Sequence, residues 1–295
     1  MKTNKDRLVM ISVQGTIVKP EHSGRHSVDH MGRPFMLPGT GGITYNVKVG
    51  DSAFGWEADH VEPGVSTILD QAKRYDGPNK GYHFYACIGN EAKVVTGDAK
   101  GTKGVVTGHH GGAEHVLIDF PDEVLENLNM DDKILIKAFG QGFKLLDHPD
   151  IYFYNLDPNL FEKMNVKEEG DSIVVPVVAK IPGMLMGSGI GSTTMGTGDY
   201  DIMTADEKTL KKYGLQNLRL GDVVAIMDHD NVFGRCYRKG AVTIGIVIHS
   251  DCKYAGHGPG VTTIISCQKP KIKPVIDEDA NIAKILGIGR FREQN

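Results

Sequence analysis

Short β-branched runs separated by glycine set the pattern of this chain. Leu8 to Val18 alternates loosely, with Val9, Ile11, Val13 and Ile17 apolar, and a period of two predicts a strand covered on one face. The same pattern predicts strands over Thr44 to Val49, Tyr82 to Ile88, Gly104 to Thr107, His115 to Phe120 and Lys133 to Phe139. It continues over Ser172 to Ala179, Asp222 to Met227, Ala241 to His249 and Val261 to Cys267. Within these, Ile173-Val174-Val175 is continuously apolar, as a strand covered on both faces requires. Helical signals are fewer. Thr204 to Tyr213 opens on Thr204 as an N-cap with Glu207 three residues on, and Gly214 stops it. Ser66 to Tyr75 and Pro121 to Leu128 are shorter candidates, and Asp277 to Leu286 carries acidic residues in its first turn, where the helix dipole favours them.

These elements predict a mainly β fold with a few short helices, built as two β-barrel or sandwich-like halves. The pattern breaks near Asp147 to Asp157, at Asp-His-Pro-Asp and again at Asp157-Pro158. This places an N-terminal β-rich domain at 1–147 and a C-terminal β-rich domain, with a C-terminal helix and tail, at 148–295.

Composition narrows the function. Net charge is -4 with a sequence pI near 6.3, so no global basic field recruits nucleic acid. No run reaches the ~20 apolar residues that span a bilayer, and the polar start Met1 to Arg7 is not followed by an apolar signal segment. The expectation is a cytoplasmic protein with no nucleic acid or membrane partner. Cys87, Cys236, Cys252 and Cys267 form no C-x-x-C pair, and their surroundings read as core thiols in strands rather than a zinc or redox motif.

Three glycine-rich stretches together carry a family resemblance. They are Phe35-Met36-Leu37-Pro38-Gly39-Thr40-Gly41-Gly42-Ile43, the segment from Gly50-Asp51-Ser52 through Asp59-His60-Val61-Glu62 to Ser66, and Gly256-His257-Gly258-Pro259-Gly260-Val261-Thr262-Thr263. The chain resembles, over roughly residues 5 to 270, a prokaryotic family of unknown function with separate N- and C-terminal parts. That resemblance implies a two-part, mostly β structure and no assigned activity. A local similarity to the acetamidase/formamidase family of amide hydrolases covers Val175-Pro176-Val177, Pro182-Gly183-Met184-Leu185 and Met195-Gly196-Thr197-Gly198-Asp199. The family's Gly-Asp-x-His step is missing between Met186 and Met195, so no catalytic residue carries over.

Candidate chemistry gathers at loops and strand ends. In the loop from Gly187 to Asp199, Gly187, Ser188, Gly189, Ser192 and Thr193 offer backbone N–H groups and hydroxyls that suit an anionic ligand group. No Gly-Lys-Ser/Thr follows, which excludes a nucleoside-triphosphate P-loop. Asp199, Asp228 and His229, then His249 and His257, supply carboxylate and imidazole groups to the second half. In the first half, His109 and His110 belong to a histidine-rich run that ends at His115, while Asp59 and His60 precede a candidate helix start at Pro63 where an anion is favoured. The working expectation is a metal-assisted hydrolase of a small amide or similar polar substrate. In it a divalent metal is held by Asp199, Asp228, His109 and His110, His229 and His249 act in catalysis, and the Gly187 loop, Asp59, His60 and His257 bind the small-molecule ligand. Its rival is a non-catalytic small-ligand or metal-binding protein, assembled as a homo-oligomer.

Overall fold

In a computed structural model, the described residues are 1–22, 24–112, 114–191 and 193–293. The first half contains β1 (Ile11–Ile17), β2 (Ser27–Val28), β3 (Pro34–Phe35), β4 (Ile43–Thr44), β5 (Gly64–Ile68), α1 (Gly77–Tyr85), β6 (Glu91–Val94), β7 (Lys103–His110), β8 (His115–Asp119), α2 (Asp122–Leu125) and β9 (Lys133–Ala138). Strands β1, β9, β6, β7, β8 and β5 follow one another in antiparallel pairs, and β5 returns to β1 at Thr16↔Ile68 and Ile17↔Thr67. This closes a six-stranded barrel, which removes the unpaired edges a flat sheet would leave. Its interior is packed by Ile17, Val65, Val106, Val116, Ile118, Ile134 and Ile136. Tyr82 of α1 enters this core and hydrogen-bonds Thr67 Oγ1 at 2.6 Å. Only glycine fits opposite it, because a Cβ on Gly15 would lie 2.6 Å from the Tyr82 ring.

The second half contains β10 (Tyr152–Phe153), α3 (Pro158–Lys163), β11 (Lys167–Glu169), β12 (Ser172–Val177), β13 (Ala179–Pro182), β14 (Met186–Ile190), β15 (Tyr200–Ile202), α4 (Glu207–Lys212), β16 (Val223–Asp230), β17 (Cys236–Val247), β18 (Gly260–Cys267), β19 (Ile272–Ile276) and α5 (Ile282–Leu286). A half-barrel runs β13-β16-β17-β18-β15-β14, with β10 also on β18, and a separate sheet runs β11-β12-β19. All of β18 is buried, as expected of a strand covered on both faces. One core cluster joins Val49, Ile88 and Leu117 to Ile244, Ile246, Ile264 and Ile265, so the halves share apolar interior as well as chain.

The mainly β, two-half architecture stands, and several elements differ from the pattern that predicts them. Tyr82 to Ile88 begins inside α1 rather than a strand, because Pro78 starts a helix whose buried face carries Tyr82 and His83. Ser66 to Tyr75 opens as β5, where Val65, Thr67 and Ile68 are buried, and continues into a short 3-10 turn that Asp70 caps. Of Thr44 to Val49 only Thr44 is in a strand. The cap of α4 is Asp206, which accepts from Lys208 N and Thr209 N, while the Thr204 hydroxyl turns to Asp251; Gly214 is left-handed as the stop requires. The last helix is shorter, starts at Ile282 after an Asn281 cap, and has no acidic residue in its first turn. Cys87, Cys252 and Cys267 are buried, but Cys236 is exposed. Among the described residues no helix is long and apolar enough to cross a membrane.

Candidate metal centre

Strand ends from both halves meet at one place. In the barrel, β7 ends on His110 and β8 begins on His115, paired directly across the hairpin, and the loop ahead of β5 carries His60 and Glu62. In the half-barrel, Asp199 and Asp201 flank Tyr200 at the start of β15, His249 follows β17, and His257 precedes β18. Alternate residues of a strand share a face, so Asp199 and Asp201 point together while Tyr200 turns away to stack on His229, with ring centroids 5.3 Å apart. Polar cross-links hold the halves in register here. Gly111 N donates to Asp199 Oδ1 at 2.8 Å, Thr262 Oγ1 donates to the His109 carbonyl at 2.9 Å, and Ser250 N donates to the Val61 carbonyl at 3.0 Å.

Three of the imidazoles facing the centre are anchored through their other nitrogen. His249 Nδ1 lies 2.8 Å from the Ser250 carbonyl, which only accepts, so Nδ1 carries the proton and Nε2 faces inward. His60 Nδ1 lies 3.0 Å from Asp59 Oδ2, and His110 Nδ1 is held by Glu62 Oε1. Such outer acceptors fix the tautomer and aim the free nitrogen, as they do for histidines that bind metals. Glu62 is fully committed to this task. Beyond His110, its carboxylate accepts from His115 Nδ1, from Gly41 N at 2.7 Å and from Ser66 Oγ at 2.6 Å. Burial alone would raise its pKa, but His115 and His110 outweigh that and hold it well below the ordinary value.

The inward atoms converge. His249 Nε2 lies 3.0 Å from Asp199 Oδ2 and 3.4 Å from Asp201 Oδ1. Donors of a tetrahedral zinc site stand about 3.3 Å apart, given bonds of about 2.0–2.1 Å. Asp199 Oδ2 and His249 Nε2 are both buried and face each other at the distance of an ion pair. Ligand atoms of His110, Asp199 and His249 lie within 4.8 Å of one another, as do those of His60, Asp201 and His249. Burial opposes a charge on His249, yet the two aspartates hold its pKa well above the usual value. For His60, burial is likewise outweighed by hydrogen bonds to Asp201 and Asp59, which lift it to about 9. Space for a side chain is absent beside the pair, since a Cβ on Gly260 would lie 1.9 Å from Asp199 Oδ2 and 2.2 Å from His249 Nε2. The cluster forms the wall of a cavity of about 380 Å³ whose other lining includes Thr40, Arg74, Tyr75, Glu114 and Gly189.

Of the residues singled out in the sequence, the structure brings His60, His110, Asp199, His249 and His257 together, with Gly189 at the cavity and Asp59 behind His60. Asp59 and His60 do so from a loop that leads into β5, not from a helix start, and His60 holds a left-handed φ of 55°. His109 turns to the opposite face of β7, toward His83 and the Ala86 backbone, away from the cluster. His229 sits behind β15, bonded to Thr243 Oγ1 and burial-lowered to about 4. Asp228 occupies the irregular step of β16 with φ of 55° and accepts from Gly240 N at 2.7 Å. Ser188 is exposed and bonds the Ala255 carbonyl, Gly187 packs against the Gly256 carbonyl, and Thr193 is exposed. Ser192 lies outside the described residues. Glu62, His115 and Asp201 fall in the runs that the sequence marks as candidates, and sequence reasoning gives none of them a role. The available signal was a spacing of two, from His60 to Glu62 and from Asp199 to Asp201.

A solved structure titled "Crystal structure of TM1086" is similar to this chain, with 54% identity, a TM-score of 0.90, and coverage of 96% of this chain and 98% of that one. No curated protein matches, and no acetamidase or formamidase figures in these comparisons. The profile described as "Domain of unknown function (DUF4438), N-terminal" matches residues 26–162, and its C-terminal counterpart matches residues 163–286. With both parts present in order and spanning most of the chain, this protein belongs to the two-part DUF4438 family.

Proposed function

We propose that this protein is a metal-assisted hydrolase of a small amide or similar polar substrate, with its ion held by His110, Asp199 and His249. One observation carries the reading: the ligand atoms of His110, Asp199 and His249, all buried, converge within 4.8 Å of one another, with Asp199 Oδ2 3.0 Å from His249 Nε2. Gathering a carboxylate and imidazole nitrogens in a buried site is costly unless charge and lone pairs are matched, and a shared cation matches them. The free nitrogen of His110 makes a third ligand, the number a hydrolytic zinc keeps when its fourth position is left open. Two imidazoles in three donors favour a zinc-like ion over calcium or magnesium.

Such an ion supplies an acidified water and a polarised carbonyl. The chain's own groups do the remainder. Glu114, on the cavity wall, takes the proton of the attacking water and returns it to the nitrogen of the leaving amine. Arg74, 2.9 Å from Glu114 Oε2, holds an anionic part of the substrate, and the cavity of about 380 Å³ limits that substrate to a small molecule.

Elemental analysis before and after chelation, with thermal unfolding in both states, tests the ion. Stoichiometric zinc-like metal, whose loss lowers the unfolding midpoint, is expected. The Glu114→Gln variant should keep its metal and lose turnover of simple amides by about 10²-fold or more. No metal after purification in zinc, and no change in midpoint, refutes the reading; metal without turnover leaves the non-catalytic metal- or ligand-binding protein.

A further inference from the structure

We propose that the centre holds two divalent ions, bridged by the carboxylate of Asp201. The inference rests on the metal reading above and extends it to a second site. Three donor atoms lie beside the first ion's position. His257 Nδ1 is 3.0 Å from Asp201 Oδ2, His60 Nε2 is 3.7 Å from the same oxygen, and the two ring nitrogens are 3.1 Å apart. These three edges scatter around the ~3.3 Å expected between donors on one zinc-like ion. Asp201 Oδ1, meanwhile, is 3.4 Å from His249 Nε2, so the two oxygens of one carboxylate face two neighbouring positions. A bridging carboxylate suits ions about 3.5–4 Å apart, the spacing of two-metal hydrolases; with Asp201 as a fourth protein ligand, the first ion would take the reacting oxygen as a fifth.

A further observation favours a pair of ions. His60 has the form of a ligand, with Nδ1 tied to Asp59 and Nε2 toward Asp201, on a left-handed backbone of φ 55°; strain of this kind persists where the surroundings hold it. The second position opens to the same cavity as the first, because residue 189 has no side chain: a Cβ there would lie 2.3 Å from Asp201 Oδ2 and 2.9 Å from His257 Nδ1. Both ions therefore face one reacting group, a planar carbonyl or a phosphoryl ester, and clamp its attacking and leaving atoms.

The test loads the metal-free full chain with Zn²⁺ and counts bound ions by calorimetry and elemental analysis. Two equivalents are expected in the wild type and one in His257→Ala, whose side chain is 33% exposed and whose fold is checked by circular dichroism. Loading with Mn²⁺ adds a readout needing no variant: two ions sharing Asp201 give an exchange-coupled electron paramagnetic resonance signal, which His257→Ala converts to that of an isolated ion. One equivalent in the wild type, or two uncoupled ions, overturns the bridged pair and leaves the single-ion hydrolase standing. No bound ion overturns both.

Discussion

His229 shows how burial decides a histidine's role better than its neighbours in sequence do. It follows Asp228 and precedes Asp230, yet its ring stacks on Tyr200 and bonds Thr243 rather than meeting a carboxylate. Burial, and then the charge of Arg235, lower its pKa to about 4 from an ordinary 6.5. The folded state therefore binds fewer protons than the unfolded chain between these values. The stability this neutral ring contributes is fully present above pH 6.5 and is lost as pH falls to about 4. A His229→Gln variant keeps polar contacts and cannot take a proton. Measured by denaturant unfolding, the difference between wild type and variant should shift by about 3 kcal/mol between pH 7 and pH 4, the wild type losing more. A constant difference across that range would show that the ring is solvated and titrates normally. Glu62 makes the opposite case: it is equally hidden, but four donors surround it, so it stays charged and serves as the strut that aims His110.

At the scale of elements, the long central strands were legible and the short ones were not. Ala241 to His249 and Val261 to Cys267 carry enough β-branched residues to announce β18, buried throughout, and the buried part of β17 from Ala241 to Val247, but not its exposed start at Cys236 to Lys239. The run Tyr82-His83-Phe84-Tyr85 has strand propensity too, but Pro78 and the slot opposite Gly15 make it helical, a tertiary override of local preference. Helix α4 was found and miscapped, because Thr204 and Asp206 are both competent caps and only the structure shows that Thr204 is engaged with Asp251. Asp206→Ala should therefore lower the urea midpoint, while leaving metal content unchanged. Loss of bound metal in that variant would mean that α4 supports the centre in a way its contacts do not suggest. The centre itself was half legible. The residues that meet there sit on five separate segments, at 60, 110, 199 to 201, 249 and 257, and periodicity within one segment carries no information about which distant strand ends will meet.

For the whole molecule, the position of the centre matters more than its ligand count. His60 and His110 come from the closed barrel, and Asp199, Asp201, His249 and His257 from the half-barrel. An ion bound there binds only the folded, docked arrangement, so its binding free energy adds to stability by mass action, about 2.7 kcal/mol when free ion is a hundredfold above the dissociation constant. The apolar core already spans both halves, so metal loss should loosen the junction rather than unfold either half. Hydrogen exchange of the zinc-loaded and chelated protein distinguishes these cases. Faster exchange on chelation is expected in two places at once, the β7–β8 hairpin around His110 and the segment from His249 to Gly260, which Thr262, Gly111 and Ser250 stitch together. The cores of β9 and β12, distant in the sheet order, should stay protected. Exchange that rises in one half alone would place the ion within that half and remove the joint as its structural role. Uniform deprotection would show instead that the ion holds up the fold as a whole. The expected pattern makes the centre a clasp at one end of a junction that the shared apolar core already joins.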